Sequence, residues 1–235
     1  MIFAGLQKTS LIDYPGKVSC VAFVSGCNLA CPFCHNPELA RGLYPERIAA
    51  DALLEYLTPR KRLLDGVVIS GGEPTLASGL PDMCRAIQGL GLPVKLDTNG
   101  TRPEVLQHLL AHQVVDYVAM DIKTSLNQYA PLLTTEATAR KVARSIRLIM
   151  ESDVDYEFRT TCLRPFVDEK IVVEIARGIQ GARRYVLQAF RSSVLLDPKF
   201  FSAGDPGFSA TSMQRLRQSV VPWVADTQVR GGAGD

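Results

Sequence analysis

The sequence predicts an α/β fold built on a parallel sheet, and three observations predict it. Short β-rich runs alternate with helical stretches, the rhythm of successive βαβ units. The runs are continuously apolar, as in Val67-Val68-Ile69, which is the pattern of strands covered on both faces. Turn residues such as Gly71-Gly72 and Asn99-Gly100 separate the two kinds of segment. In chain order, the strands are expected at 18–25, 66–70, 93–98, 115–123, 154–163 and 183–191. The helices are expected at 45–57, 80–90, 103–112, 135–150 and 168–179, with Pro45 and Pro103 suited to first-turn positions. Residues 202–212 are rich in Gly, Ser and Pro and read as a loop, after which a last helix spans 211–220. Pro222 and Trp223 close the ordered part, so residues 1–225 form a single domain and 226–235 an unstructured tail. Six strand–helix steps suit either a doubly wound sheet or an incomplete barrel, and spacing alone does not choose.

Composition narrows the function classes. The 235 residues carry 26 basic and 24 acidic side chains, a formal charge of +2. That lacks the strong basic excess of a sequence-independent nucleic-acid binder. No apolar run approaches a membrane span. The start, Met1 to Lys8, shows no basic region followed by a long apolar stretch, so the cytoplasm is the expected location.

Three of the six cysteines fall within eight residues, in Gly26-Cys27-Asn28-Leu29-Ala30-Cys31-Pro32-Phe33-Cys34-His35-Asn36. In a cytosolic chain such a cluster points to metal or redox chemistry. Ordinary electron-carrying iron–sulfur clusters take four thiolates. Three thiolates on one loop leave a coordination position open, as catalytic metal sites require. A structural zinc site of Cys27, Cys31, Cys34 and His35 is the alternative. Zinc ligands, however, commonly come as two separated hooks, and His35 directly follows Cys34. Cys20, Cys84 and Cys162 sit in apolar surroundings and read as small hydrophobes, although a fourth ligand among them stays open.

The spacing Cys27-x3-Cys31-x2-Cys34, with Phe33 before the last cysteine, resembles the signature of the radical S-adenosylmethionine superfamily. The following His35-Asn36 and the lead-in from Gly5 to Lys17 resemble the glycyl-radical-enzyme activases, above all those of anaerobic ribonucleotide reductase. The resemblance runs from about Gly5 to Arg191 and implies a partial (β/α)6 barrel of the TIM type. It implies a 4Fe–4S cluster on the three cysteines and S-adenosylmethionine on its open iron. The product is a 5′-deoxyadenosyl radical that makes a glycyl radical on a partner enzyme. An electron donor such as flavodoxin or ferredoxin is implied too, with no nucleic acid or membrane involved.

Further motifs fall in the order the resemblance requires. Gly71-Gly72-Glu73-Pro74 resembles the family's GGEP element, where a carboxylate holds a cationic amine and glycines let backbone approach a ligand. Its plain reading is a βα turn. Asp97 and Thr98 end the third strand, a place where barrel enzymes put their sites, and Asn99-Gly100 fits an Asx-type turn. Asp121 and Lys123, two residues apart on one strand face, resemble the family's Asp-x-Lys element. By that resemblance Asp97 and Asp121 surround a monovalent cation, while Lys123 and Arg159 meet the cofactor's carboxylate. Gln188 stands where some activases carry a histidine, and Asp13, in Asp13-Tyr14-Pro15-Gly16, is placed near the incoming partner loop. Two other readings remain: a radical enzyme acting on a small molecule such as a deazapurine precursor, and a non-enzymatic zinc or electron-transfer module.

Overall fold

The computed structural model describes residues 1–129, 136–191, 194–201 and 205–231. Its six central strands are those the sequence predicts: β3 (Ser19–Val24), β5 (Gly66–Gly71), β6 (Val94–Thr98), β7 (Tyr117–Asp121), β8 (Asp155–Cys162) and β9 (Arg184–Ala189). They lie side by side in chain order, all parallel. The helices between them are α1 (Pro37–Arg41), α2 (Ala50–Leu57), α3 (Leu80–Gly89), α4 (Pro103–Ala111), α5 (Glu136–Met150) and α6 (Glu169–Gly178). Thr135, expected to begin α5, lies outside the described residues. Asp168 caps α6 by accepting from the Ile171 amide at 2.7 Å. The curved, mostly parallel sheet is a partial TIM-like barrel, the architecture the resemblance implies.

The strands alternate between two environments. On β6, Val94 and Leu96 join the large core beneath the helices, while Lys95 and Asp97 take the intervening positions. A second, smaller cluster of Tyr14, Val21, Val68, Tyr117 and Ala119 fills the other face. That face is therefore part apolar and part charged, and its charged part leads to the site.

Two expectations need correction, and one edge strand is added to those expected. The helix expected from Pro45 begins only at Ala50, because Ile48–Ala49 is drawn out as β4 to pair antiparallel with β1 (Ile2–Phe3). The lead-in holds an edge strand, β2 (Gly5–Ser10), antiparallel to β3. The last helix, α7 (Ala210–Val220), matches the expected 211–220 to within one residue, and Ser209 caps it by accepting from the Ser212 amide at 3.2 Å. Residues 202–204 of the expected 202–212 loop are outside the described residues. Finally, Trp223 does not close the ordered part: β10 (Asp226–Arg230) adds a parallel strand beside β9. Polar side chains hid this strand. They hold it in place, Asp226 accepting from Arg184 at 2.9 Å and Arg230 clasping buried Glu157 with two bonds of 2.8 and 2.7 Å. Residues 232–235 of the expected tail are outside the described residues. No helix among the described residues is long and apolar enough to cross a membrane.

Candidate active site

The C-terminal ends of β3 and β5–β8 converge on a cavity of about 240 Å³. This is where parallel α/β folds place their chemistry, since only loops crowd these strand ends. The loop after β3 brings Cys27, Cys31 and Cys34 into the cavity lining. That loop is fastened on three sides. From α1, Leu39 and Ala40 accept from the Gly26 and Cys27 amides at 2.7 and 3.0 Å. The β5 turn contributes the Gly72 and Glu73 amides, which donate to Val24 and Gly26 at 2.7 and 2.8 Å. Past β9, the amides of Leu196 and Asp197 donate to Cys34 and Pro32 at 3.0 and 3.1 Å.

Burial pushes the Cys31 thiol up to about 11 and raises Cys27 as well. Both are therefore thiols at neutral pH until a metal displaces their protons. Tetrahedral zinc demands every thiolate about 2.3 Å from one point. No three His, Cys, Asp or Glu side chains among the described residues converge on a single ion. Thiols spread around one cavity suit a cluster with several irons. Cys20, Cys84 and Cys162 are fully buried away from it and line none of its wall. The residues present fit a 4Fe–4S cluster with three protein thiolates.

The GGEP turn joins the cavity wall to the cysteine loop. A side chain on Gly71 or Gly72 would overlap the backbone of Val24 or Gly26, so the glycines admit the cysteine loop, and both also line the cavity. Glu73 is 1% exposed. Its carboxylate accepts from the Thr75 amide at 3.1 Å, the Thr98 hydroxyl at 2.8 Å and the Asn99 amide at 2.7 Å. Glu73 thus lines the cavity as a bracket between the β5 and β6 ends, and Thr98 is a member of that bracket. Gly72→Ala is expected to cost about 1–3 kcal/mol through overpacking and to displace the cysteine loop. Thermal denaturation together with bound iron after reconstitution checks it, and unchanged values for both would contradict the packing.

Four charged side chains form the opposite wall. Arg159 donates through Nε to Asp121 at 2.7 Å and stands 3.4 Å from Asp97. Lys123 donates to Asp121 at 3.0 Å, and Ser70 donates to Asp97 at 3.0 Å. Behind Asp97, outside the cavity lining, buried Lys95 forms a further ion pair with it. Burial alone would raise Asp121, but Arg159 and Lys123 outweigh it and hold the carboxyl well below the usual range. Asp97 is lowered likewise, with Arg159 and Lys95 overcoming its burial. Lys95 and Ser70 escaped the sequence reading, and Asn99 was expected only as a turn residue. Lys95 had a signal: it lies two residues before Asp97 and so on the same strand face. Asn99 accepts from the Thr101 amide at 3.0 Å, the expected Asx turn, and also donates to Asn28 of the cysteine loop at 3.0 Å.

Not every expected residue reaches the cavity. Phe33 lines it, with its ring 4.8 Å from that of Phe166. Pro74 starts a buried 3-10 turn, and neither it nor Gln188 on β9 is in the lining. Asp13 lies in the β2–β3 turn, held by the Ser10 hydroxyl, at the opposite end of the sheet from the cysteines.

Comparison with known proteins agrees with this geometry. The Radical SAM superfamily model matches residues 21–177, a stretch that includes the cysteine loop and Arg159. A Methanocaldococcus jannaschii protein, MJ1227, is 36% identical over 208 residues, covering 85% of this chain and 84% of the relative. Its name gives it a provisional assignment as a glycyl-radical enzyme activating enzyme. The pyruvate formate-lyase-activating enzyme of Clostridium pasteurianum is 32% identical over 123 residues, half of each chain. In fold, the chain resembles the crystal structure of Streptococcus suis SuiB, with a TM-score of 0.69 at 14% identity, over 90% of this chain and 48% of that one. The match runs through the three cysteines, the glycine turn and the charged wall, and the chain belongs to the radical SAM superfamily, as an enzyme similar to the glycyl-radical-enzyme activases.

Proposed function

We propose that this protein makes a glycyl radical on a partner enzyme, anaerobic ribonucleotide reductase, in the cytoplasm, with flavodoxin or ferredoxin as electron donor. One observation carries the reading: three thiols of one loop share a small cavity with a wall of paired acids and bases. A 4Fe–4S cluster and S-adenosylmethionine, when bound, supply a one-electron cleavage that yields a 5′-deoxyadenosyl radical able to take hydrogen from glycine. Cys27, Cys31 and Cys34 hold the cluster. Arg159 and Lys123 offer fixed donors to the cofactor's carboxylate. Glu73 keeps Thr98 and Asn99 in register with the cysteine loop, with Phe33 walling the cavity. Asp13, beside the exposed Leu11 and Ile12 at the far end of the sheet, is assigned to the body of the partner and not to the glycine loop that enters the cavity. A monovalent cation between Asp97 and Asp121 does not fit the side chains as they stand, because Lys95, Arg159 and Lys123 already engage these carboxylates. No step is routed through such an ion.

The test is anaerobic. The iron–sulfide-reconstituted, reduced protein is given S-adenosylmethionine with the reductase, and 5′-deoxyadenosine and the glycyl-radical spectrum are followed. Both signals are expected. Deoxyadenosine without a glycyl radical on any candidate partner would favour a small-molecule substrate, and no deoxyadenosine at all would sink the reading.

A further inference from the structure

The side chain of Lys95 is 1% exposed at the centre of the sheet, between Val68 and Tyr117 on the neighbouring strands. Burying an ammonium is costly unless something gains from its charge. Its contacts are specific: an ion pair with Asp97, and the Tyr117 ring 6.0 Å away. It is absent from the cavity wall, so a ligand there meets Asp97 and not Lys95. Asp97 therefore has one cation behind it and another, Arg159, beside it at the longer distance of 3.4 Å.

This arrangement bears on where positive charge comes from when the cavity fills. Among the described residues Arg159 alone links the two acids, and its closer bond is to Asp121. A carboxylate arriving in the cavity competes for the Arg159 fork. Asp97 would then face a low-dielectric cavity with its charge uncompensated, unless another cation stayed with it. A dissolved monovalent ion is one solution. This chain has a tethered one.

We propose that Lys95 is the resident cation of the site: its ammonium takes the place of a bound monovalent ion beside Asp97, so that cofactor binding needs no potassium or sodium. The inference rests on the reading that S-adenosylmethionine occupies this cavity. Lys95 is a positioning residue. It holds the Asp97 carboxylate together with Ser70 and leaves Arg159 available to an anionic ligand.

The experiment measures S-adenosylmethionine affinity of the cluster-loaded protein, from its effect on the cluster's spectrum. The buffer contains tetramethylammonium as the only cation, and potassium or ammonium chloride is then added. Wild type is expected to bind equally in all three. Lys95→Ala is expected to bind about tenfold or more weakly in tetramethylammonium, the effect of losing a charged hydrogen-bond partner. Potassium or ammonium should restore most of that loss, since either fits the vacated space. Lys95→Arg should behave as wild type, and Lys95→Ala/Asp97→Asn should show no cation response, because the carboxylate that needs the ion is gone. Potassium dependence in the wild type would overturn the proposal even if Lys95→Ala fails to fold. So would tight binding by Lys95→Ala without a small cation, or a loss that no cation restores. A loaded wild type that binds no S-adenosylmethionine in any salt would instead remove the functional reading beneath it.

Discussion

Cys31→Ala is expected to reduce 5′-deoxyadenosine formation to background, a loss on the order of a thousandfold or more, as when a member of a unit that acts together is removed. The reason is geometric. Cys31 is the middle ligand of a loop fastened to α1, to the β5 turn and to the segment after β9, so no other cysteine can swing in. Cys20, Cys84 and Cys162 are each 0% exposed within the core. The variant should retain its fold, because the loop's fastenings are backbone bonds that the side chain does not make. The expected result is a normal circular dichroism spectrum with little bound iron and no product. Retained product would mean that a different group completes the cluster. A pH dependence follows as well. With burial holding the Cys31 thiol at about 11, each unit by which the pH rises toward that value increases its thiolate fraction about tenfold. Loading of iron and sulfide into the metal-free chain should therefore quicken from neutral pH upward, and a flat profile would show that the thiols are already ionised.

Arg159→Leu is expected to do more damage than any surface arginine substitution. It removes a side chain that pairs with both Asp97 and Asp121, which lie in a largely buried wall. Deleting one partner of a buried charge pair costs about 3–5 kcal/mol, because the other charge is left uncompensated. S-adenosylmethionine binding should be lost as well, since Lys123 alone gives a point charge in place of a planar fork. The sign with pH is defined. Asp121 and Asp97 are held below the ordinary carboxylate range in the folded wild type. Their contribution is present above that range and is lost as pH falls through their folded values. The stability gap between wild type and variant should therefore be largest near neutrality and shrink in acid. Chemical denaturation at several pH values measures it, and a gap that widened in acid would assign the damage to lost packing instead of lost charge.

The two residues illustrate how much was legible in the sequence. Cys31 was, because three cysteines so close together have few other uses. Arg159 was legible by resemblance and by its core-like neighbours Phe158 and Thr160, both buried. The six central strands were legible because strands covered on both faces must be apolar throughout. The edge strands Gly5–Ser10 and Asp226–Arg230 were not, since edges are free to be polar and carry their information in partners distant along the chain. Glu73 was legible by resemblance, whereas its hydrogen bonds to Thr98 and Asn99 depend on two strand ends meeting, which no local spacing reveals. Lys95 was missed because one lysine in an apolar run reads as a surface residue until its neighbours on both sides are known.

The fastening of the cysteine loop by Leu196 and Asp197 has a consequence for how the protein is made. The three cysteines leave the ribosome well before the amides that hold the Cys34 and Pro32 carbonyls. A chain still being translated displays its thiols on a loop that is not yet tied down. The order of events makes the segment after β9 a checkpoint for assembly. A message cut short after β9 would yield a protein with every ligand present and its ligand loop unfastened on one side.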